Sequence, residues 1–514
     1  MTFGELAAAH ARAFPTKTAV VDGIRRLTWS ALDDLAGRAA AGLAGLGIGA
    51  GDVVSSLLPN RAEAAIFFHA ARWLGAVWNP IVPILGAREI RFILRQAQTS
   101  VVIAPDRFRG VDYPALLGKI RAEVPVLRAM VVAGNAPAGA VAAESLLAGP
   151  ARETPRSPRA AGEVALILYT SGTTAEPKGV LHSDATLLSL CERTVRYQRL
   201  SADEVFIIGS PVGHISGLLY AVLMPAVLGA GAVLMETWDP EEFLALVERE
   251  RGTFSAGATP FLQSVVDSPH LDRYDLRSLR IFPCGGADVP PDLIRRTIER
   301  LRVRTGRGYG STEFPSITSS SGPDVPDEKR ATTDGAPVPP NEIELRDAEG
   351  RTVPAGSEGE IWAHGPARCL GYRDATLDRE AFDERGFFCT GDLGVVDADG
   401  YLTITGRLKD IIVRSGEKFS AREIEDLLFG HPKVRSVAIV AIPDRVTGER
   451  ACAFVVPARP DDPPTLDELC GFLSRFEISR RKLPERLELV EDLPVTASGK
   501  VQKHLLRERI VRAR

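Results

Sequence analysis

The sequence predicts an α/β protein of more than one domain, on three observations. Helix-like and strand-like segments alternate along the first part of the chain, the pattern of parallel sheets with covering helices. An apolar strand-like stretch, Val164 to Leu168, empties into a loop rich in glycine and hydroxyls. Beyond about Thr332 the strand-like pieces shorten and Gly, Asp and Pro separate them, which marks a small β-rich unit. At 514 residues the chain is too long for one hydrophobic core, so about two to four domains are expected.

The elements follow in order. Ala31 to Leu46 has the apolar spacing of an amphipathic helix and stops at Gly47. Val53 to Leu58 reads as a strand ended by Pro59-Asn60, and Glu63 to Leu74 as the next helix. Val101 to Ala104 and Val131 to Ala133 are short strands, and the Ala- and Pro-rich stretch from Ala136 to Ala161 is expected to be a loop. Leu218 to Met235 carries no charge and is nearly long enough to span a bilayer. Pro225, Gly229 and Gly231 interrupt it, so the expectation is a buried helix, a glycine turn and an inner strand from Ala232 to Met235. Strands are expected at Ile343 to Leu345, Gly359 to Ala363 and Tyr401 to Thr405. The last part resumes a mixed pattern: helix Glu423 to Phe429, strands Val437 to Ala441 and Cys452 to Val456, and helix Leu466 to Arg475. The domain boundary is placed at Lys409-Asp410, giving units 1–408 and 409–514.

Hydrophobic content of 45% and charged content of 25% are ordinary globular values. A formal net charge of −4 offers no general attraction to nucleic acid. The basic residues near the end (Lys500, Lys503, Arg507, Arg509, Arg512 and Arg514) fit a solvated helical face. The 6 cysteines are scattered, with neither C-x-x-C pairs nor zinc-type spacing to histidine. Reduced thiols in a cytoplasmic protein are therefore expected. No secretory signal or transmembrane segment is expected, and a homodimer is compatible with the sequence.

Five segments carry chemistry. The first is Tyr169-Thr-Ser-Gly-Thr-Thr-Ala-Glu-Pro-Lys178-Gly179, whose backbone N–H groups, hydroxyls and lysine suit polyphosphate. It is not a Walker A, because Pro177 and Gly179 stand where that motif needs Gly and Ser or Thr. The second is Gly308-Tyr-Gly-Ser-Thr-Glu313, which follows an apparent strand and so belongs at a sheet edge. Tyr309 offers a flat face to a purine, Thr312 a hydroxyl to a phosphate, and Glu313 a hard oxygen ligand to Mg2+. The third is Thr390-Gly391-Asp392 with Gly406-Arg407, a carboxylate and a guanidinium able to grip ribose. The fourth is Pro211-Val-Gly-His214-Ile-Ser-Gly217, where His214 either serves the structure or lines an acid pocket. The fifth is Pro494-Val-Thr-Ala-Ser-Gly499-Lys500, a lysine that is either solvated or brought to a phosphate oxygen. Each alone can be a plain turn; in this order they are jointly specific.

With these segments, and with Leu27-Thr-Trp-Ser-Ala-Leu32 and Gly75-Ala-Val-Trp-Asn-Pro80, the chain resembles the adenylate-forming superfamily over nearly its whole length. That superfamily includes acyl- and aryl-CoA synthetases, peptide-synthetase adenylation domains and firefly luciferase. The resemblance implies a large N-terminal domain of two β-sheets with flanking helices and a distorted β-barrel, plus a small mobile C-terminal α+β lid hinged at Lys409. It implies that Thr170, Ser171, Gly172, Thr173, Thr174 and Lys178 cradle the β- and γ-phosphates of ATP. Gly285, Gly286 and Ala287 would pass beside adenine and the acyl group. Gly308, Tyr309 and Gly310 would meet adenine through the tyrosine ring, Thr312 the α-phosphate, and Glu313 the Mg2+. Asp392 and Arg407 would hold ribose, Lys500 would bridge the substrate carboxylate and the α-phosphate, and Gly416 would line the pantetheine tunnel for CoA. His214, Ile215, Gly217, Leu218, Gly285, Gly286 and Phe314 are expected to line a largely apolar acid pocket. Two departures stand out: Ala175 where many relatives have glycine, and Lys418 where asparagine is common.

The implied activity is ATP-dependent ligation of a small carboxylic acid to CoA through an acyl-adenylate, on a medium-chain, alicyclic or steroid-derived acid. Loading of a carrier protein is the alternative, set lower because the chain ends soon after the Lys500 motif. A luciferase-type oxygenase is a remote option, and a non-catalytic acyl-nucleotide sensor is the alternative from another class.

Overall fold

The computed structural model describes residues 2–23, 25–149, 159–170, 176–414, 417–476, 478–496 and 501–512. Two large sheets form the first part. One has the strand order Gly371–Tyr372, Lys178–Ser183, Val164–Thr170, Val77–Pro80, Val53–Ser56, Thr99–Pro105, Ala129–Ala133, Val141–Ala142. From Val164–Thr170 onward its neighbours are parallel, and the two strands at the other edge pair antiparallel. Its inner strands are apolar on both faces, as covered parallel sheets require; Val101, Val102, Ile103 and Ala104 are all fully buried.

The other sheet runs Arg25–Thr28, Thr18–Asp22, Gly231–Leu234, Val205–Ile208. Single bridges through Phe254, Ile281 and Arg304 carry it on to Cys284–Gly285, Arg307–Tyr309, Thr318–Ser319 and Ala336–Pro337. Helices Phe3–Ala13, Trp29–Gly45 and Ala62–Trp73 contribute Phe3, Trp29, Phe67 and Phe68 to the main core, where Trp78 of the first sheet joins them. A four-stranded antiparallel sheet of Glu342–Arg346, Glu358–His364, Phe388–Val396 and Leu402–Arg407 forms the β-rich unit expected beyond Thr332, bridged to the second sheet between Gly335 and Leu402.

From Ile411 on, a five-stranded sheet collects Glu417–Ser420, Ile411–Arg414, Gly448–Pro457, Val434–Asp444 and Arg486–Leu489. Side chains of Val434–Asp444 alternate between two cores. Val437 and Ile439 pack with helices Ala421–Leu428 and Leu466–Leu473, while Ala438, Val440 and Ile442 pack with Leu506 and Ile510 of helix Lys503–Arg512. Period-two alternation with both faces apolar explains how one small sheet supports three helices.

Three expectations need correction. The stretch from 136 to 161 is not all loop: strand Val141–Ala142 and helix Ala143–Ala148 lie in it, and Leu146 packs against Gly42. The Ala- and Leu-rich run is a helix because its Ala143 and Leu146 reach the main core. The strand Val53–Ser56 ends two residues before the expected Leu58. Gly308 and Tyr309 do not follow a strand but belong to one, Arg307–Tyr309. The long uncharged stretch divides into helix Ile215–Leu218, a π-helical turn Leu219–Leu223, helix Met224–Leu228, Gly229 at φ +67°, and strand Gly231–Leu234. Among the described residues no helix is long and apolar enough to cross a membrane.

Candidate active site

The candidate polyphosphate segment is flanked by two paired strands. Val164–Thr170 and Lys178–Ser183 pair antiparallel, and Thr170 lies opposite Lys178, so the ladder closes at those two residues. Ser171, Gly172, Thr173, Thr174 and Ala175 lie outside the described residues, as do Gly416 and Lys500. Gly179 lets the hairpin close onto its neighbours: a Cβ there would stand 3.0 Å from the Tyr169 ring and 3.1 Å from Arg373 Cβ.

Three bonds fasten this hairpin, and the edge strand beside it, to the Gly308–Glu313 segment. The His182 Nε2–H donates to the Thr312 carbonyl at 2.8 Å, with Thr186 Oγ1 3.1 Å from Nδ1. Since a carbonyl only accepts, the proton sits on Nε2 of the neutral ring. The Tyr372 hydroxyl donates to Glu313 Oε1 at 2.9 Å, and the Cys369 N–H donates to the Glu313 carbonyl at 2.7 Å. Tyr372 pairs in register with Val180, and Lys178 Nζ lies 5.5 Å from the centre of its ring. The hairpin lysine, the Thr312 backbone and the Glu313 carboxylate are thus referred to one frame. Burial, then Glu313, pushes the Tyr372 hydroxyl pKa up, so it stays a donor.

Tyr309 is 9% exposed, and its hydroxyl donates to Asp392 Oδ2 at 2.8 Å. Arg407 Nε forms an ion pair with the other oxygen, Oδ1, at 2.7 Å. Asp392 and Arg407 are register partners on adjacent antiparallel strands, which brings the two motifs of the third segment together. Burial, then Asp392, raises the Tyr309 hydroxyl pKa.

The glycines lie where backbones touch. Gly285 and Gly308 are partners on parallel strands, and a Cβ on Gly285 would overlap the Gly308 carbonyl. Gly286 has φ +81°, a region costly for other residues, and Ala287 follows it half-buried. A Cβ on Gly310 would stand 2.6 Å from the Ser316 backbone nitrogen.

His214 caps helix Ile215–Leu218. Its Nδ1 is 2.9 Å from Ser216 Oγ and accepts the Ser216 N–H at 3.4 Å. Phe314, expected at the acid pocket, is fully buried in the main core, and Leu218 and Ile215 join the same cluster. The physical reason for Phe314 is its place after Glu313: the chain turns inward there, with the Ser311 N–H donating to the Phe314 carbonyl.

Sequence reasoning missed His182 and Tyr372. A signal for His182 existed: strand alternation from Val180, fully buried, puts His182 on the same inward face. Tyr372 had no local signal, because its value lies in pairing across the sheet edge. Burial lowers the His182 pKa to about 4. Its folded value lies below the ordinary one of 6.5, so the unfolded chain binds the extra proton and stability falls as pH drops from 6.5 toward 4. His182→Gln, which keeps an N–H donor, is expected to flatten that decline; melting temperatures across this range check it, and an unchanged slope refutes it.

The AMP-binding enzyme family model matches residues 7–373, and the AMP-binding enzyme C-terminal domain model matches residues 423–500. The chain belongs to the AMP-binding enzyme family. This AMP-binding enzyme is 36% identical to the medium-chain fatty-acid–CoA ligase of Escherichia coli (strain K12), over 98% of this chain and 89% of that protein. It is 32% identical to the 2,3-dihydroxybenzoate-AMP ligase of Bacillus subtilis (strain 168), over 99% of this chain and 94% of that protein. Its fold superposes on the anthranilate CoA ligase AuaEII, solved in complex with anthranoyl-AMP, with a TM-score of 0.91 at 25% identity, covering 100% of this chain and 98% of that one. The enzyme therefore stands among the AMP-forming, acyl-adenylate-forming ligases, a family that uses ATP and a divalent metal.

Proposed function

We propose that this enzyme joins a carboxylic acid to CoA in two steps at one site. In the first, a substrate carboxylate oxygen attacks the α-phosphorus of ATP in line. The new O–P bond forms as the bond to the β-phosphate bridging oxygen breaks, and pyrophosphate leaves. In the second, a thiolate attacks the acyl carbon, the acyl–oxygen bond breaks, and AMP leaves. One observation carries this reading: Lys178, Thr312, Glu313, Tyr309, Asp392 and Arg407 are tied to a common frame by the bonds from His182, Tyr372 and Tyr309.

In this reading Thr170, Lys178 and the loop between them hold the outer phosphates. Thr312 meets the α-phosphate, and Asp392, already oriented by Tyr309 and Arg407, accepts the ribose hydroxyls. The carboxylate of Glu313 is a hard oxygen donor of the kind Mg2+ takes, and a bound Mg2+ would neutralise charge on the phosphate oxygens. Lys500 adds positive charge at the α-phosphate in the first step. It must withdraw for the second, which a small domain turning about Lys409 allows.

The acid is proposed to be medium-chain, alicyclic or steroid-derived. The likeness to the Escherichia coli medium-chain ligase supports an aliphatic acid. A second reading, an acyl-AMP ligase that passes its product to a carrier protein, is favoured by the likeness to the 2,3-dihydroxybenzoate-AMP ligase. Pyrophosphate release measured over short, medium, aromatic and alicyclic acids, with and without CoA, tests both. The expected result is release with an aliphatic or alicyclic acid and AMP turnover that depends on CoA. Multiple turnovers without thiol, or cleavage of ATP only to ADP, would refute the first reading.

A further inference from the structure

Helix Ala421–Leu428 opens the covering layer of the small unit and carries Arg422 in its first turn. A cation there opposes the helix dipole, so the position is unfavourable unless something outside the helix compensates. The compensation comes from the large unit. Arg422 Nη1 is 3.2 Å from Asp288 Oδ1, and Nη2 is 3.9 Å from Asp334 Oδ1. Asp426, one turn along the same helix, lies 3.5 Å from Nε. The Arg422 side chain is 11% exposed and Asp334 8%, while Asp288 at the rim is 39% exposed, so the contact is buried on the arginine and Asp334 side and open to water at Asp288.

Both acceptors belong to segments that carry the candidate nucleotide site. Asp288 directly follows Gly285-Gly286-Ala287. Asp334 is 6% exposed, and its Oδ2 accepts the Ile404 N–H at 2.9 Å, on the strand that ends in Arg407. Its Oδ1 faces Arg307 at 4.0 Å, on the strand that carries Tyr309. Arg422 therefore enters a socket whose walls are the backs of the adenine and ribose segments. The contact is repeated alongside, where Ser420 packs against Gly406.

We propose that Arg422 is a positioning residue for the two-step reaction: it locks the small domain to the large one in their present orientation by seating in the Asp288–Asp334 socket. The proposal rests on the two-step reading above. Docking pairs the Arg422 cation with Asp288 and Asp334, and turning the small domain away exchanges that pairing for hydration, so the net strength of the contact weighs on the balance between the two orientations. The small domain must turn between half-reactions, so this lock serves one of them and is released for the other. The lock tunes the balance between the two orientations, and the reacting atoms never touch it.

The experiment measures the half-reactions separately in Arg422→Gln and Arg422→Lys: acid-dependent ATP–pyrophosphate exchange, and conversion of supplied acyl-adenylate with CoA. In Arg422→Gln the ratio of the two rates is expected to move by about tenfold, the shift given by a change of about 1.4 kcal/mol in a two-state balance. Arg422→Lys, which keeps the charge, is expected to lie between it and the wild type. The double variant Arg422→Asp with Asp288→Arg, which restores the pair with reversed charges, is expected to return the ratio toward the wild type. A ratio unchanged in Arg422→Gln overturns the proposal, whether both rates hold or both fall together, since a merely destabilised fold lowers both. Absence of exchange in the wild type would instead refute the two-step reading itself.

Discussion

Replacing Lys500 by alanine is expected to slow acid-dependent pyrophosphate release by on the order of 10²–10³ while supplied acyl-adenylate still passes to CoA. The asymmetry follows from charge. In the first step negative charge builds on the phosphate oxygens as pyrophosphate departs, and a positioned ammonium stabilises that state. In the second step of the proposed sequence the developing charge sits on the acyl carbonyl and the departing AMP, and Lys500 is proposed to have turned away with its domain. The converse variant, Gly416→Leu, is expected on the proposed reading to spare adenylation and block thioester formation, since Gly416 is proposed to line the route of the pantetheine thiol. Single-turnover assays with radiolabelled pyrophosphate and with synthetic acyl-adenylate separate the two. Near-normal pyrophosphate release by Lys500→Ala would remove the lysine from the mechanism.

Gly285→Ala is expected to disrupt the site from its backbone. The added Cβ would overlap the Gly308 carbonyl on the paired strand, and a backbone atom cannot swing aside as a side chain can. The strands must separate, which displaces Tyr309 and with it the Tyr309–Asp392 bond. Overpacking of this kind costs about 3 kcal/mol, and if it falls on the transition state the rate drops by about 10². The control is Gly308→Ala: a Cβ there has its nearest neighbour, the Cys284 carbonyl, at 3.9 Å, so its melting temperature should stay close to that of the wild type. Equal melting temperatures for the two variants would refute the overlap argument.

The legible and illegible parts of the site divide by distance along the chain. Where candidate chemistry is concentrated in one contiguous stretch, the residue types are enough to propose it. Tyr169 to Gly179 reads as a polyphosphate loop, and Gly308 to Glu313 as an adenine, phosphate and metal segment. Interrupting residues are equally local. Pro225, Gly229 and Gly231 argue against a membrane helix by their type and spacing alone, and the chain does break there into short helices and a strand. Misreadings arose where a residue's setting depends on its neighbours in space. Ala143–Ala148 looks like linker until Leu146 meets Gly42.

The sequence by itself determined the layered α/β class, the order of the five chemical segments, the family they belong to, and the breaks at proline and glycine. These are properties of periodicity, side-chain type and local backbone freedom, all carried within a few residues. The tertiary structure alone decided that His182 holds the Thr312 carbonyl, that Tyr372 holds Glu313, and that Arg422 reaches Asp288 and Asp334. Each of those contacts joins segments remote in the chain. Hydrogen bonds and ion pairs act over a few ångströms and require register and orientation, and these exist only once sheets have paired and domains have docked.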